Sequence, residues 1–328
     1  MYIAHQIAAT EANLTFLKQI GVDAVIPFGP PLNAQGIWGY EELAQLKEQV
    51  ERAGLEVVGF NNIIGTPGIR QNPARAMSYA HAQDQILLAG PGRDAQIDKI
   101  GQSIRHVGKL GVKFINYGFT LTGVWRTERQ ALGRGGAQVT AYRHADLPQP
   151  PLTEAGDVPE EEMWDRFQYF LERVIPIAEE AGVGMACHPH DPPVPNIAGD
   201  PRILRSIAAY KRLVEMVPSP ANGLNFCQGT IAEMGEDVIE AIRYFGSRNK
   251  IFNVHFRNIQ GTAHDFQEAF LDDGDVDMLS AFKTYLEVGY KGPIVPDHFA
   301  RLTVGEGYWG SWGHTLGYMQ GMLRAVQG

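Results

Sequence analysis

The feature that most restricts the fold of this chain is a strict alternation of short β-type runs with longer amphipathic helical patterns. Eight such pairs follow one another, beginning with the strand run YIAHQI at residues 2–7. The pattern GHTLGYMQGMLRAVQ, at residues 313–327, supplies the last helix. Eight strand–helix units in unbroken order are what a (β/α)8 barrel requires. We therefore predict an α/β fold, a single TIM barrel over residues 1–328.

A doubly wound open sheet is the alternative fold for such an alternation. It would need a glycine-rich phosphate-binding turn after an early strand, and the sequence shows none. The length of 328 residues would suit two average domains, but α/β barrels often reach this size as one unit. No domain linker or internal repeat beyond the strand–helix unit is evident.

Two long connections interrupt the alternation. One follows the third strand, at about residues 62–89, and the other follows the fourth, at about residues 120–159. The second contains GRGGAQVTAYRHAD, which predicts a small hairpin turning at Gly135–Gly136. Because both connections follow strands, they are expected on the C-terminal face, where barrel enzymes carry their active sites.

Four ligand-type side chains end the last four predicted strands: His188, Cys227, His255 and Asp297. They are 39, 28 and 42 residues apart, close to one strand–helix unit of ~30 residues plus its loop. Each alone would fit an ordinary core position, and Cys187 is interpreted that way, because it must face the opposite side of its strand from His188. Together the four converge on the barrel mouth and predict a mixed N/S/O site for a divalent transition metal.

Further polar and aromatic residues lie near these four along the chain. Arg257 is two residues beyond His255 and shares its strand face, so it is a candidate to bind a substrate carboxylate through two parallel hydrogen bonds. An internal salt bridge is the alternative for Arg257. The remaining candidates for substrate contact are Asn258, Asp191, Tyr117, Trp125 and Arg126.

Several of these segments resemble the mannonate dehydratase family, whose members have a xylose-isomerase-like barrel. The resemblance is carried by IPIAEEAGVGMACHPHDPPVPNIAGDPRI, ANGLNFCQG, IFNVHFRN, FQEAFLDDGDVDM, the PDH of the eighth strand, and GVWRTE with the hairpin after it. It implies a Mn²⁺-type metal, with Fe²⁺ or Co²⁺ as other possibilities, bound by the same four residues that the spacing selects. It also implies dehydration of D-mannonate to 2-keto-3-deoxy-D-gluconate.

The resemblance also assigns catalytic residues and shows where this chain departs from the family. The family's catalytic histidine matches His298, and its tyrosine near the last helix aligns with His314. An aspartate of the family's proline motif is His190 here, and a glycine after the last motif is Phe299. His298 and His314 are therefore expected to transfer protons, with His190 as a third acid/base group or substrate contact.

We predict a metal-dependent lyase that eliminates water from a D-mannonate-like sugar acid to give a 2-keto-3-deoxy acid. One alternative is a metal-dependent isomerase, epimerase or lyase acting on a keto-sugar or glycoside. Another is a barrel that binds a sugar acid without turning it over. Activity on sugars that lack a carboxylate would favour the first alternative, and tight binding without product would favour the second.

Charge and composition limit the partners and the compartment. Twenty-eight basic residues against 37 acidic ones give a net charge of −9, which disfavours nucleic acid and anionic membrane surfaces as partners. Only two cysteines are present, as expected for a reducing cytoplasm. Neither a membrane span nor a signal peptide is predicted. We expect a homo-oligomer, in which YWGSWGH at residues 308–314 could form a subunit interface or a pocket wall.

Overall fold

The computed structural model describes residues 1–64 and 84–327, and the predicted loop at about 62–89 lies mostly outside these described residues. The strands are β1 (Tyr2–Ile7), β2 (Ala24–Pro27), β3 (Glu56–Val57), β4 (Phe60–Asn61), β5 (Phe114–Tyr117), β6 (Glu128–Leu132), β7 (Gln138–Arg143), β8 (Gly184–Cys187), β9 (Asn196–Ile197), β10 (Asp200–Pro201), β11 (Asn222–Cys227), β12 (Ile251–Phe256), β13 (Ile259–Thr262), β14 (Asp265–Glu268) and β15 (Pro293–Pro296). The helices are α1 (Glu11–Gln19), α2 (Tyr40–Arg52), α3 (Asp84–Leu87), α4 (Arg93–Lys109), α5 (Glu160–Ala181), α6 (Ile207–Met216), α7 (Gln228–Glu233), α8 (Val238–Gly246), α9 (Met278–Glu287) and α10 (Gly307–Gln327).

Nine of these strands form one parallel sheet in the order β3-β2-β1-β15-β12-β11-β8-β5-β4. The third strand of the barrel is split into β3, which pairs with β2, and β4, which pairs with β5. A parallel bridge between Phe28, directly after β2, and Asn61 of β4 closes the ring. The predicted (β/α)8 barrel is confirmed.

Strand alternation divides the apolar residues into two cores. A small cluster inside the barrel contains Ala4, Ala24, Ile26, Val58, Phe114, Ala186 and Val295, and the large outer core fills the layer between strands and helices. Phe252 packs on the inner cluster near the N-terminal end of the barrel. A Cβ at Gly184 or Gly223 would lie 2.8 or 2.5 Å from its ring, so these two glycines make room for it. The lower barrel is therefore packed, and the polar side chains lie toward its C-terminal end.

Helix α5 shows how the outer layer is built. Its buried positions, among them Phe167, Phe170 and Val174, recur every three or four residues and form one apolar face. The helix is capped by Gly182, which adopts the left-handed conformation with φ 67° that a glycine provides most easily. No helix in the described parts of the chain is long and apolar enough to cross a membrane.

A second, four-stranded antiparallel sheet in the order β13-β14-β7-β6 is formed by the connections that follow barrel strands β5 and β12. We call it the added sheet. Its β6–β7 hairpin is the predicted one, with Gly135 and Gly136 at φ 64° and 80° in the turn. The second hairpin, β13–β14, was not predicted, because two four-residue strands of mixed polarity carry little periodic signal. This sheet brings Glu268, the last residue of β14, to the functional site.

Candidate active site

The four predicted metal ligands come together at the C-terminal end of the barrel. Cys227 ends β11 and pairs in register with His255 of β12, while His188 directly follows β8 and Asp297 directly follows β15. Each residue offers one donor atom, and these four atoms all lie within 4.8 Å of one another. The spacing argument therefore selected side chains that the fold does bring to one point.

The orientation of the two imidazoles fits metal binding. His188 Nδ1 is 2.7 Å from the carbonyl oxygen of Pro189, which favours a hydrogen on Nδ1 and leaves Nε2 free to ligate. His255 Nδ1 lies 3.4 Å from Asp297 Oδ2 and is buried without a hydrogen-bond partner. Burial by itself would raise the pKa of Asp297, but His298, His255 and Arg257 outweigh it and hold that pKa well below its usual range. Two imidazole nitrogens, a thiol sulfur and a carboxylate form a donor set suited to a divalent transition metal.

A buried network of five ionisable side chains lies behind this cluster, each with at most 1% of its side chain exposed. Arg126 makes paired bonds to Asp191, of 2.5 and 2.8 Å, and a third bond of 2.6 Å to Glu268. Arg257 donates to Asp191 at 2.7 Å and to Glu233. The network thus connects the residue after barrel strand β12, helix α7, the added sheet and the loop after β8.

Two guanidinium groups face three carboxyl groups in this network. Burial, together with the negative charges of Asp191 and Glu268, raises the pKa of Glu233 well above its usual range despite the nearby arginines. Burial alone would raise the pKa of Asp191 as well, but Arg126 and Arg257 hold it well below normal. The raised pKa favours the neutral form of Glu233, in which two carboxylates would face the two guanidinium groups.

Three of the predicted substrate contacts, Arg257, Arg126 and Asp191, bind other side chains of this network. The terminal nitrogens of Arg257 and Arg126 bind carboxyl groups of the chain itself, and Asp191 is the carboxylate that they share. For Arg257, the structure shows the internal salt bridge that the sequence analysis gave as the alternative to substrate binding. The three residues therefore stabilise the wall of the site.

The structure does not support two other predicted substrate contacts, Tyr117 and Asn258. Tyr117 is the last residue of β5 and points outward, where it packs on Phe167 and Phe170 of α5. Strand alternation gives the inner face to its neighbour Asn116. Asn258 is also buried, and its amide nitrogen binds the carbonyl oxygens of Leu271 and Val276, so it fastens a loop. For Trp125, which is half-buried beside Asp191, substrate contact stays a prediction.

The catalytic assignments of His190 and His314 are not supported. His190 is buried, with Nε2 2.8 Å from the carbonyl oxygen of Phe119 and Nδ1 accepting a hydrogen bond from the backbone of Leu204. Both ring nitrogens are thus used by the backbone. His314 is exposed on α10 and packs against Phe270 and Tyr318. His190 was selected because it is close to His188 in the sequence, and His314 because it aligns with the family's tyrosine, but the structure directs both side chains away from the four candidate ligands.

His298 is the predicted catalytic histidine that the structure places beside the four candidate metal ligands. Its backbone has φ 47°, a left-handed conformation uncommon outside glycine. Its Nδ1 lies 3.0 Å from Glu268 Oε1 and 3.2 Å from Arg126 Nη2, and its Nε2 lies 3.7 Å from Asp297 Oδ1. The side chain is 28% exposed, so a bound molecule can reach it. Sequence reasoning missed Glu268 because it belongs to the unpredicted second hairpin.

Replacing Arg126 with leucine is expected to destabilise the fold strongly. The substitution leaves the buried carboxylates of Asp191 and Glu268 without one of their cations, and breaking a buried ion pair typically costs about 3–5 kcal/mol. The matched control is Arg134→Leu, whose ion pair with Asp272 is exposed and should cost no more than ~1 kcal/mol. Urea unfolding of both variants measures the difference, and equal losses would contradict this ranking.

The buried ring of His190 predicts a loss of stability in acid. Burial and then the positive charge of Arg202 lower the pKa of His190 to about 3, against about 6.5 in an unfolded chain. Because the unfolded chain binds the proton more readily, this stability is complete above about pH 6.5 and is lost as the pH falls toward about 3. At about pH 5 the expected loss is about 2 kcal/mol, at ~1.4 kcal/mol for each pKa unit.

Urea unfolding at stepped pH tests this expectation. His190→Gln should make the decline of the unfolding free energy between about pH 6.5 and 4 shallower, whatever it does to stability at neutral pH. His314→Gln, at an exposed position, is the control and should leave the decline unchanged. A decline as steep in His190→Gln as in the wild type would contradict the assignment.

Comparison with known proteins identifies the family. The family model described as D-mannonate dehydratase (UxuA) matches residues 8–154 and 149–328. The chain is 29% identical to mannonate dehydratase 2 of Halalkalibacterium halodurans over 351 aligned positions, covering 96% of each chain. It superposes on the crystal structure of mannonate dehydratase from Streptococcus suis serotype 2 with a TM-score of 0.86, at 28% identity and with 99% and 95% of the two chains covered.

A more distant match concerns the fold alone. The xylose isomerase domain protein from Planctomyces limnophilus superposes with a TM-score of 0.64 at 15% identity, covering 99% of this chain and 98% of the other. The xylose-isomerase-like barrel and the family resemblance drawn from the motifs are both confirmed. Because the family model matches both halves of the chain and a relative aligns almost from end to end, this protein belongs to the mannonate dehydratase family.

Proposed function

We propose that this protein is a metal-dependent dehydratase that eliminates water from D-mannonate, or a close stereoisomer of it, to give a 2-keto-3-deoxy acid. The observation that carries the proposal is the convergence of four N, S and O donor atoms within 4.8 Å, directly beside the partly exposed His298. The names of the relatives agree with this activity.

The cofactor in this proposal is Mn²⁺, with Fe²⁺ and Co²⁺ as the alternatives. His188, Cys227, His255 and Asp297 would hold it. A divalent metal there supplies Lewis-acid stabilisation of the negative charge that develops on the substrate carboxylate during elimination. Asp297 is kept ionised by its surroundings, as a ligand must be.

Proton transfer is assigned to His298. Elimination needs a base for the proton next to the carboxylate and an acid for the departing hydroxyl. Glu268 Oε1, 3.0 Å away, is an acceptor for a hydrogen on His298 Nδ1, which directs Nε2 toward the metal ligands as the nitrogen that exchanges a proton. Arg126 contacts both Glu268 and His298 and fixes this pair against the barrel.

The experiment is a screen of aldonic acids with Mn²⁺, Fe²⁺ and Co²⁺, read by the formation of 2-keto-3-deoxy acids. We expect D-mannonate or a close stereoisomer to be converted only when metal is present. Matched uncharged sugars are included. Interconversion of those sugars without any 2-keto-3-deoxy acid would replace the proposal with an isomerase or epimerase, and binding without any product would favour a non-catalytic barrel.

A further inference from the structure

Two buried asparagines form a hydrogen-bonded chain behind His255. Asn225 Nδ2 lies 3.1 Å from His255 Nε2, and Asn253 Nδ2 donates to Asn225 Oδ1 at 2.9 Å. Asn225 is 2% exposed and Asn253 is fully buried. At the end of this hydrogen-bonded series, farthest from His255, Asn253 Oδ1 is buried and has no hydrogen-bond partner. A polar chain of this kind inside a barrel needs an explanation, because an unpaired buried polar atom is costly.

The sheet is irregular at the place that creates this contact. Leu224 pairs with Ile251, but the next residue, Asn225, pairs with Asn253, so β12 contains one extra residue. The extra residue is Phe252, which fills the lower barrel. A regular ladder would have placed Asn225 opposite Phe252. The shift instead aligns the two amides and puts Cys227 opposite His255.

The orientation of His255 determines what the amide chain must do. Nδ1 is the ring nitrogen that faces Asp297, and it can bind a metal only when it carries no hydrogen. The hydrogen of the neutral ring is then on Nε2, which needs an acceptor. The atom of Asn225 next to Nε2 is the amide nitrogen, which can only donate.

A half-turn of the Asn225 amide would present its oxygen to Nε2 and its nitrogen to Asn253. Asn253 must then turn as well, so that its unpartnered oxygen accepts the hydrogen bond from Asn225. The same two hydrogen bonds are present in both arrangements, but the donor and the acceptor of each are exchanged. The orientation of the two amides and the position of the hydrogen on His255 are therefore coupled.

We propose that Asn225 and Asn253 are positioning residues of the metal site, and that they reverse together when a metal binds His255 Nδ1. The inference rests on the metal site of the proposed function. It assigns to the pair the support that a ligating histidine commonly receives from an acceptor at its other nitrogen.

Two isosteric substitutions at Asn225 test the proposal. Asn225→Leu removes the acceptor and should weaken Co²⁺ binding about 10- to 100-fold, the usual cost of losing such a partner. Asn225→Asp should stay within a few-fold of the wild type, because a carboxylate accepts from His255 Nε2 and from Asn253 Nδ2 at once. Affinity is measured by titration of the thiolate-to-Co²⁺ absorption band, which does not depend on catalysis.

The matched control is Asn222→Leu on the same strand. Asn222 is also buried, but its amide binds the carbonyl oxygens of Leu213 and Val217, so its loss should affect stability and leave Co²⁺ affinity unchanged. If either leucine variant fails to fold, the position of the ring hydrogen of His255 tests the proposal instead. It is measured in Zn²⁺-loaded protein with ¹⁵N-labelled histidine, and a His255→Gln variant assigns the signal. We expect the hydrogen on Nε2.

The outcomes separate the two proposals. Absence of a Cys227-dependent Co²⁺ band in the wild type overturns the metal site itself. A wild-type band with unchanged affinity in Asn225→Leu overturns the role of the asparagines alone. Equal weakening in Asn225→Asp and Asn225→Leu, or a hydrogen found on Nδ1 in the Zn²⁺-loaded protein, overturns it as well.

Discussion

Replacing Cys227 with serine should lower Mn²⁺ affinity by at least about a hundredfold. Loss of a residue that only supports a ligand already costs a metal site up to about that much, so loss of a ligand itself should cost no less. Cys227 is fully buried, and its sulfur lies 4.0 Å from Asp297 Oδ2 and 3.2 Å from the hydroxyl of Thr230, which donates to it. A serine fits this space, so the fold should survive. What is lost is the thiolate, a far better ligand for a transition metal than a neutral hydroxyl.

The chain provides its own control for this experiment. Cys187, next to His188, faces the outer core, and burial raises the pKa of its thiol well above the normal value, so it stays protonated. Cys187→Ser should reduce stability and leave metal content unchanged. Metal analysis of purified wild type and both variants gives the comparison. Equal metal content in Cys227→Ser and the wild type would remove Cys227 from the ligand set.

The barrel and the convergence of the four candidate ligands could be predicted because both depend on periodicity. Strand–helix alternation gives the fold, and the end of each strand gives a fixed height on the barrel. His188, Cys227, His255 and Asp297 occupy equivalent positions in consecutive units, so the geometry of the repeat is sufficient to bring them together. The end of a regular strand is therefore a position that periodicity predicts well.

Prediction was poor where side-chain direction depends on non-periodic backbone. His190 is two residues after His188, yet the proline-rich turn points its ring at the backbone of Phe119. Tyr117 was misplaced for a different reason, because it lies within a regular strand and strict counting of the alternation would have placed it in the outer core. Glu268 and Glu233 complete a charge network with partners far away in the sequence, and no local pattern indicates such contacts.

His298→Asn should lower kcat by about 10²- to 10⁴-fold, the usual contribution of a positioned acid or base, and leave metal affinity nearly unchanged. Asparagine tolerates the left-handed backbone better than most residues, so the φ of 47° should be retained. Because the contacts of His298 Nδ1 are to Glu268 and Arg126, its loss leaves all four proposed metal ligands in place.

The matched control is His314→Asn, at the exposed position that the family resemblance had suggested for a second proton-transfer group. We expect its kcat to stay close to that of the wild type. A loss in His314→Asn as large as in His298→Asn would return His314 to the active site. Unchanged kcat in His298→Asn would instead mean that another group moves the proton. A fall in kcat with retained metal affinity in His298→Asn alone would show that the two functions depend on different parts of the fold. Metal binding would depend on the barrel strands, and proton transfer on His298 and on Glu268 of the added sheet.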